Sequence, residues 1–121
     1  MHREWLYKAE QDYESALVLL NAKLNSTSIY HTQQCAEKAL KAYIAYKGIL
    51  PPKTHDLDKL LDLCKDFDSS FNNIDLITFE LNGLDVKFRY PSSDLELPEN
   101  DVEDCIHRAK DIFDFVNSKC I

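Results

Sequence analysis

From Ser26 to Lys47 the apolar residues recur so densely that they cover more than one side of a helix. Placed at about 100° per residue, they span an arc of about 200°. Ile29, Ala36, Leu40, Tyr43 and Ile44 form one half of that arc, and Cys35, Ala39, Ala42 and Tyr46 form the other. A surface helix needs only a narrow stripe, so this pattern predicts a helix covered on two sides at the centre of a bundle. His31, Gln34, Glu37, Lys38 and Lys41 gather on the remaining face, with Glu37 and Lys41 at pairing distance. Gln33 falls inside the apolar arc, where a buried amide needs a hydrogen-bond partner.

The same periodicity places four more helices. A first helix is expected from about Arg3 to Leu24, because Trp5, Leu6, Ala9, Tyr13, Ala16, Leu17, Leu20 and Leu24 form one stripe about 120° wide. Asn25-Ser26-Thr27-Ser28 is a polar break rich in N-cap residues, and its shortness makes the first two helices antiparallel neighbours. Gly48 suits a left-handed C-terminal cap, and Leu50-Pro51-Pro52-Lys53 is a stiff, extended connector. Thr54 is the expected N-cap of a third helix reaching Phe67, with Leu57, Leu60, Leu61 and Cys64 inward. A fourth helix is placed at about 70 to 83, although 74 to 79 also tolerates a strand. Residues 84 to 97 read as an irregular loop in which Pro91 forbids a central strand. Pro98 opens a fifth helix that runs to about Ser118. The expected fold is therefore all-α, an antiparallel up-down bundle of about five helices, with 1-121 forming one domain.

Composition narrows the picture. Hydrophobic residues at 45% and charged residues at 29% describe a folded chain, and two glycines disfavour a strand-and-turn architecture. A net charge of -7 opposes a nucleic-acid binder that works by a general positive field, but leaves room for a local basic site. No apolar run reaches a membrane span and no signal-peptide core is present, so cytoplasmic residence is the expectation. Cys35, Cys64, Cys105 and Cys120 lack metal-knuckle spacing and read as free thiols.

Two polar clusters interrupt this plain bundle. Lys53-Thr54-His55-Asp56 opens the third helix, and Lys87-Phe88-Arg89-Tyr90-Pro91 lies in the long loop. A helix N-terminus is a ready anion site, and an arginine clamps phosphate bidentately. Capping competes with that reading: Thr54 and Asp56 suit a helix start, His55 suits a backbone carbonyl, and Arg89 suits a pair with the acidic surface. No glycine-rich phosphate loop, nucleophile elbow or HExxH motif occurs, and His2, His31, His55 and His107 show no metal-ligand spacing.

The run Tyr30-His31-Thr32-Gln33-Gln34-Cys35-Ala36-Glu37-Lys38-Ala39-Leu40-Lys41-Ala42 resembles the central-helix signature of HEPN domains (higher eukaryotes and prokaryotes nucleotide-binding). Thr54-His55-Asp56-Leu57 and Arg89-Tyr90-Pro91 are similar to two further stretches of that family, in the same order. The resemblance implies a five-helix bundle, commonly a homodimer, often paired with a minimal nucleotidyltransferase. It also implies a division between binding modules and metal-independent ribonucleases that use an Arg followed after four to six residues by a His. Arg3, Arg89 and Arg108 all lack such a His. The expectation is thus a non-catalytic module binding a nucleotide, RNA or a nucleotidyltransferase partner, without cofactor or metal. Lys38, Lys41, His55 and Arg89 are its candidate binding residues, with Arg89 and the lysines holding phosphate and His55 donating a hydrogen bond. The alternative is an RNA-cleaving toxin in which His55 and Arg89 meet across the cleft or the dimer interface. Phe79 and Phe115, off the main stripes of their helices, are candidates for a dimer contact.

Overall fold

The computed structural model describes residues 1–82 and 99–121. Its elements are α1 (His2–Asn21), α2 (Asn25–Tyr46), α3 (Leu57–Phe67), a 3-10 helix (Ser69–Ile74), α4 (Asp75–Asn82) and α5 (Glu99–Lys119). Among the described residues there is no strand, and the segment 74 to 79 is helical. The predicted loop at 84 to 97 and Pro98 lie outside the described residues, as do Arg89 and the side chain of Phe79.

The double-sided apolar arc does put α2 at the centre. It buries 14 of its 22 residues, whereas α1 buries only Ala9, Asp12 and Ala16. Ile29, Ala36, Leu40 and Tyr43 share one core with Leu57, Leu60 and Leu61 of α3 and with Val102, Ile106, Ala109 and Ile112 of α5. α1 lies antiparallel to α2, since Asp12 reaches His31 and Lys38 while Ser28 near the start of α2 donates to the Ala16 carbonyl. α5 runs alongside α2 in the same direction: Lys110 sits over Tyr13 at one level, and Tyr46 donates to the Ile121 carbonyl at the other. α4 opposes α5, with Phe71 edge-on to Phe115 before it and Glu80 paired to Arg108 within it. Phe115 is half-buried and meets Phe71 within its own chain.

The helix ends depart from expectation for local reasons. α1 stops at Asn21 rather than Leu24 because Lys23 takes a left-handed φ of 64°. Its N–H then bonds to the Leu20 carbonyl and that of Leu24 to the Leu19 carbonyl, which satisfies the last turn. α2 starts at Asn25 with Leu24 at the N-cap and no side-chain cap, so the polar break does not supply the expected serine or threonine. Ser28 and Thr32 instead bond backbone carbonyls of Ala16 and Ser28. Gly48 does take the left-handed cap, at φ 85°, with its N–H on Ala45 and that of Ile49 on Ile44. The extended connector through Pro51 and Pro52 then carries the chain back to the level of Glu37. α3 is capped by Asp56, not Thr54: its carboxylate accepts from Asp58 and Lys59.

Candidate functional site

The polar side of α2 carries two carboxylate-centred clusters, and each joins one histidine to one lysine. In the first, Asp12 of α1 accepts from His31 Nδ1 at 2.8 Å and from Lys38 Nζ at 2.6 Å. In the second, Glu37 accepts from Lys41 Nζ at 3.1 Å and from His55 Nδ1 at 2.8 Å. Spacing explains the arrangement. His31 and Lys38 are two turns apart and point the same way toward α1, while Glu37 and Lys41 are one turn apart and point toward the connector.

Burial is where periodicity misleads. Glu37 and Lys41 are only 4% and 7% exposed, although they sit on what the pattern marks as the polar face. Trp5 of α1 lies against Lys41, whose Nζ is 5.6 Å from its ring centroid. An ion taken out of water needs a close partner, and here each of the two supplies the other's. Gln33, one turn before Glu37, is buried too and donates to the Leu81 carbonyl at the end of α4. Its Oε1 has no partner among the described residues.

The turn that opens α3 aims His55. Thr54 Oγ1 accepts from the Asp56 N–H at 3.1 Å, and Asp56 in turn caps α3. Each flanking residue is fixed by its own local bond, so the side chain between them is presented in one direction. His55 is 67% exposed, yet its Nδ1 is tied to buried Glu37. A carboxylate only accepts, so Nδ1 carries the hydrogen and donates. Nε2 has no partner among the described residues and is the edge offered outward. Such an edge accepts a hydrogen bond from a ligand, and the same geometry serves proton transfer when a substrate is in reach.

Lys41 and His55 therefore meet on one carboxylate, whereas Lys38 turns to Asp12. Neither lysine offers uncompensated charge, because each lies within ion-pair distance of a carboxylate. Asp12, His31 and Glu37 were not among the candidates. Asp12 had a signal, since it falls at the edge of the apolar stripe of α1 beside Trp5 and Ala16. Among the described residues no group of three or more His, Cys, Asp or Glu could hold a metal, and no helix is long and apolar enough to cross a membrane.

The sequence profile of the HEPN domain family matches residues 2–119, nearly the whole chain. The chain belongs to the HEPN family. Two crystal structures share the fold: ST0689, an archaeal HEPN homologue, at TM-score 0.79 over 100% of this chain and 98% of that one, and TT1696 from Thermus thermophilus, at TM-score 0.81 over 98% and 97%. Each is 24% identical in sequence, so the likeness speaks for the fold alone. Over 46 residues the HEPN chain is 46% identical to a Methanocaldococcus jannaschii protein whose name is "Putative toxin MJ1304". That match takes in 38% of this chain and 30% of the relative's length. The HEPN fold is thus the frame that holds both clusters, and Glu37 and Lys38 lie side by side on its central helix.

Proposed function

We propose that this HEPN protein is a non-catalytic binding module whose recognition edge is the exposed imidazole of His55, and that its partner is a protein of the minimal nucleotidyltransferase class. The observation that carries the reading is the bond from His55 Nδ1 to buried Glu37, which fixes the ring and leaves Nε2 outward. A pre-oriented hydrogen-bonding edge loses little entropy on binding. Phosphate binding has less support, since Lys38 and Lys41 already hold carboxylates and the net charge is -7. Arg89, outside the described residues, completes the candidate set as a contact to an acidic or phosphate group of the partner. The module works as a homodimer, as the family resemblance implies.

A second reading, a metal-independent ribonuclease of toxin type, is favoured by one feature. A carboxylate-oriented histidine whose Nε2 has no partner among the described residues has the form of a general acid–base. The name of the archaeal relative points the same way. The missing Arg-to-His spacing points against it.

Calorimetric titration with a minimal nucleotidyltransferase from the same genome, with ATP and with single-stranded RNA separates the readings. The binding-module reading expects protein–protein binding that falls about five- to 150-fold in His55→Ala, the loss of one hydrogen bond of about 1–3 kcal/mol. RNA should stay intact. RNA cleavage lost in His55→Ala with the fold retained would establish the ribonuclease instead.

A further inference from the structure

A depression of about 210 Å3 opens between α1 and α5, lined by none of the residues that surround His55. Its walls are the rings of Tyr13 and Phe113, and its rim carries the carboxylates of Glu10, Glu14 and Asp114. A second depression of about 340 Å3 shares Glu10 and Glu14 and continues along α1 past Tyr7, Gln11 and Ser15. The walls already hold a cation. Lys110 Nζ stands 5.6 Å from the Tyr13 centroid and 5.1 Å from that of Phe113, and it bonds Asp114 at 2.7 Å. Three carboxylates and one ammonium therefore line this depression, which leaves an excess of negative charge beside two aromatic rings.

We infer that this α1–α5 surface docks an arginine-bearing segment of a partner protein, with the guanidinium against Tyr13 and between Glu10 and Glu14. Three features select that ligand. Aromatic faces attract cations, and the intramolecular lysine shows these rings in that use. A planar guanidinium stacks on a ring and still reaches two carboxylates, which a second ammonium cannot do as well. The paired depressions along one helix offer length for a chain rather than for one small cation. Lys110 acts as a tethered competitor that partly neutralises the surface until a stronger cation arrives. The inference is independent of His55, because it uses other residues on another face.

The test is fluorescence anisotropy at low salt with a labelled peptide containing three arginines, against the same peptide with citrulline in their place. The arginine peptide should bind and the citrulline peptide should not. Glu14→Gln, an exposed substitution that leaves the fold alone, should weaken binding about three- to tenfold. Lys110→Met should tighten binding by removing the competitor, while Lys65→Met on α3 should not. The inference fails if Asp62→Asn on α3 weakens binding as much as Glu14→Gln, since any acidic surface would then suffice. It also fails if the citrulline peptide binds equally, or if Lys110→Met leaves affinity unchanged.

Discussion

The two carboxylate clusters on α2 use the same parts with opposite exposure. Asp12, His31 and Lys38 tie α1 to α2 across a helix–helix seam, and their His and Lys side chains are similarly half-covered, at 29% and 24% exposed. Glu37, Lys41 and His55 divide the roles: the ion pair is buried, with Trp5 against Lys41, while the histidine stands out from the surface. A strut gains nothing from an exposed member, because a hydrogen bond that water can replace contributes little to folding. A recognition group requires one. The difference between the clusters is thus the difference between holding helices together and presenting a side chain.

Removing carboxylates is the most forceful way to break that comparison. Glu37→Ala leaves Lys41 buried without its partner and should cost about 3–5 kcal/mol of unfolding free energy, read from urea titration. Glu37→Leu combined with Lys41→Met should recover most of that loss, since an apolar pair of similar size needs no charge compensation. A single-mutant cost below about 1 kcal/mol, the range of an exposed pair, would show that water reaches Lys41. Asp12→Asn should cost less, about 1–3 kcal/mol, because His31 and Lys38 are open enough to rehydrate.

Thiols sharpen the comparison further. Burial pushes the Cys35 and Cys64 thiols up to about 12, with the Asp12 charge adding to the effect at Cys35, and pushes half-buried Cys120 up to about 11. All four cysteines are free. In the native protein Cys120 should react first with a thiol reagent, with Cys35 and Cys64 slow. Asp12→Asn should accelerate Cys35 above Cys64, whereas loosening around Glu37 should favour Cys64, whose Sγ lies against the Leu40 carbonyl of α2. Equal acceleration of both by either variant would mean that the clusters open together.

Most of the fold is legible in periodicity, and most of the site is not. The apolar arc of Ile29, Ala36, Leu40 and Tyr43 announces a central helix because burial and helical spacing leave the same trace in sequence. The left-handed cap at Gly48 is equally readable, since few residues tolerate that φ. Lys23 adopts a left-handed φ without being glycine or asparagine, so the end of α1 carries no such mark. Glu37 and Lys41 look solvated because a helical wheel records polarity and not which neighbour covers a face; Trp5 lies far away in sequence. The aim of His55 was hidden for a related reason. Thr54 and Asp56 both look like caps, and only the fold shows that one caps α3 while the other props the turn.

The most direct measurement is a side-by-side determination of unfolding free energy and partner affinity for wild type and His55→Ala. An exposed imidazole that serves recognition predicts a stability change within about 1 kcal/mol, together with a loss of affinity for the proposed nucleotidyltransferase partner of about 1–3 kcal/mol. A large loss of stability with unchanged affinity would contradict the account and place His55 with Asp12 among the struts.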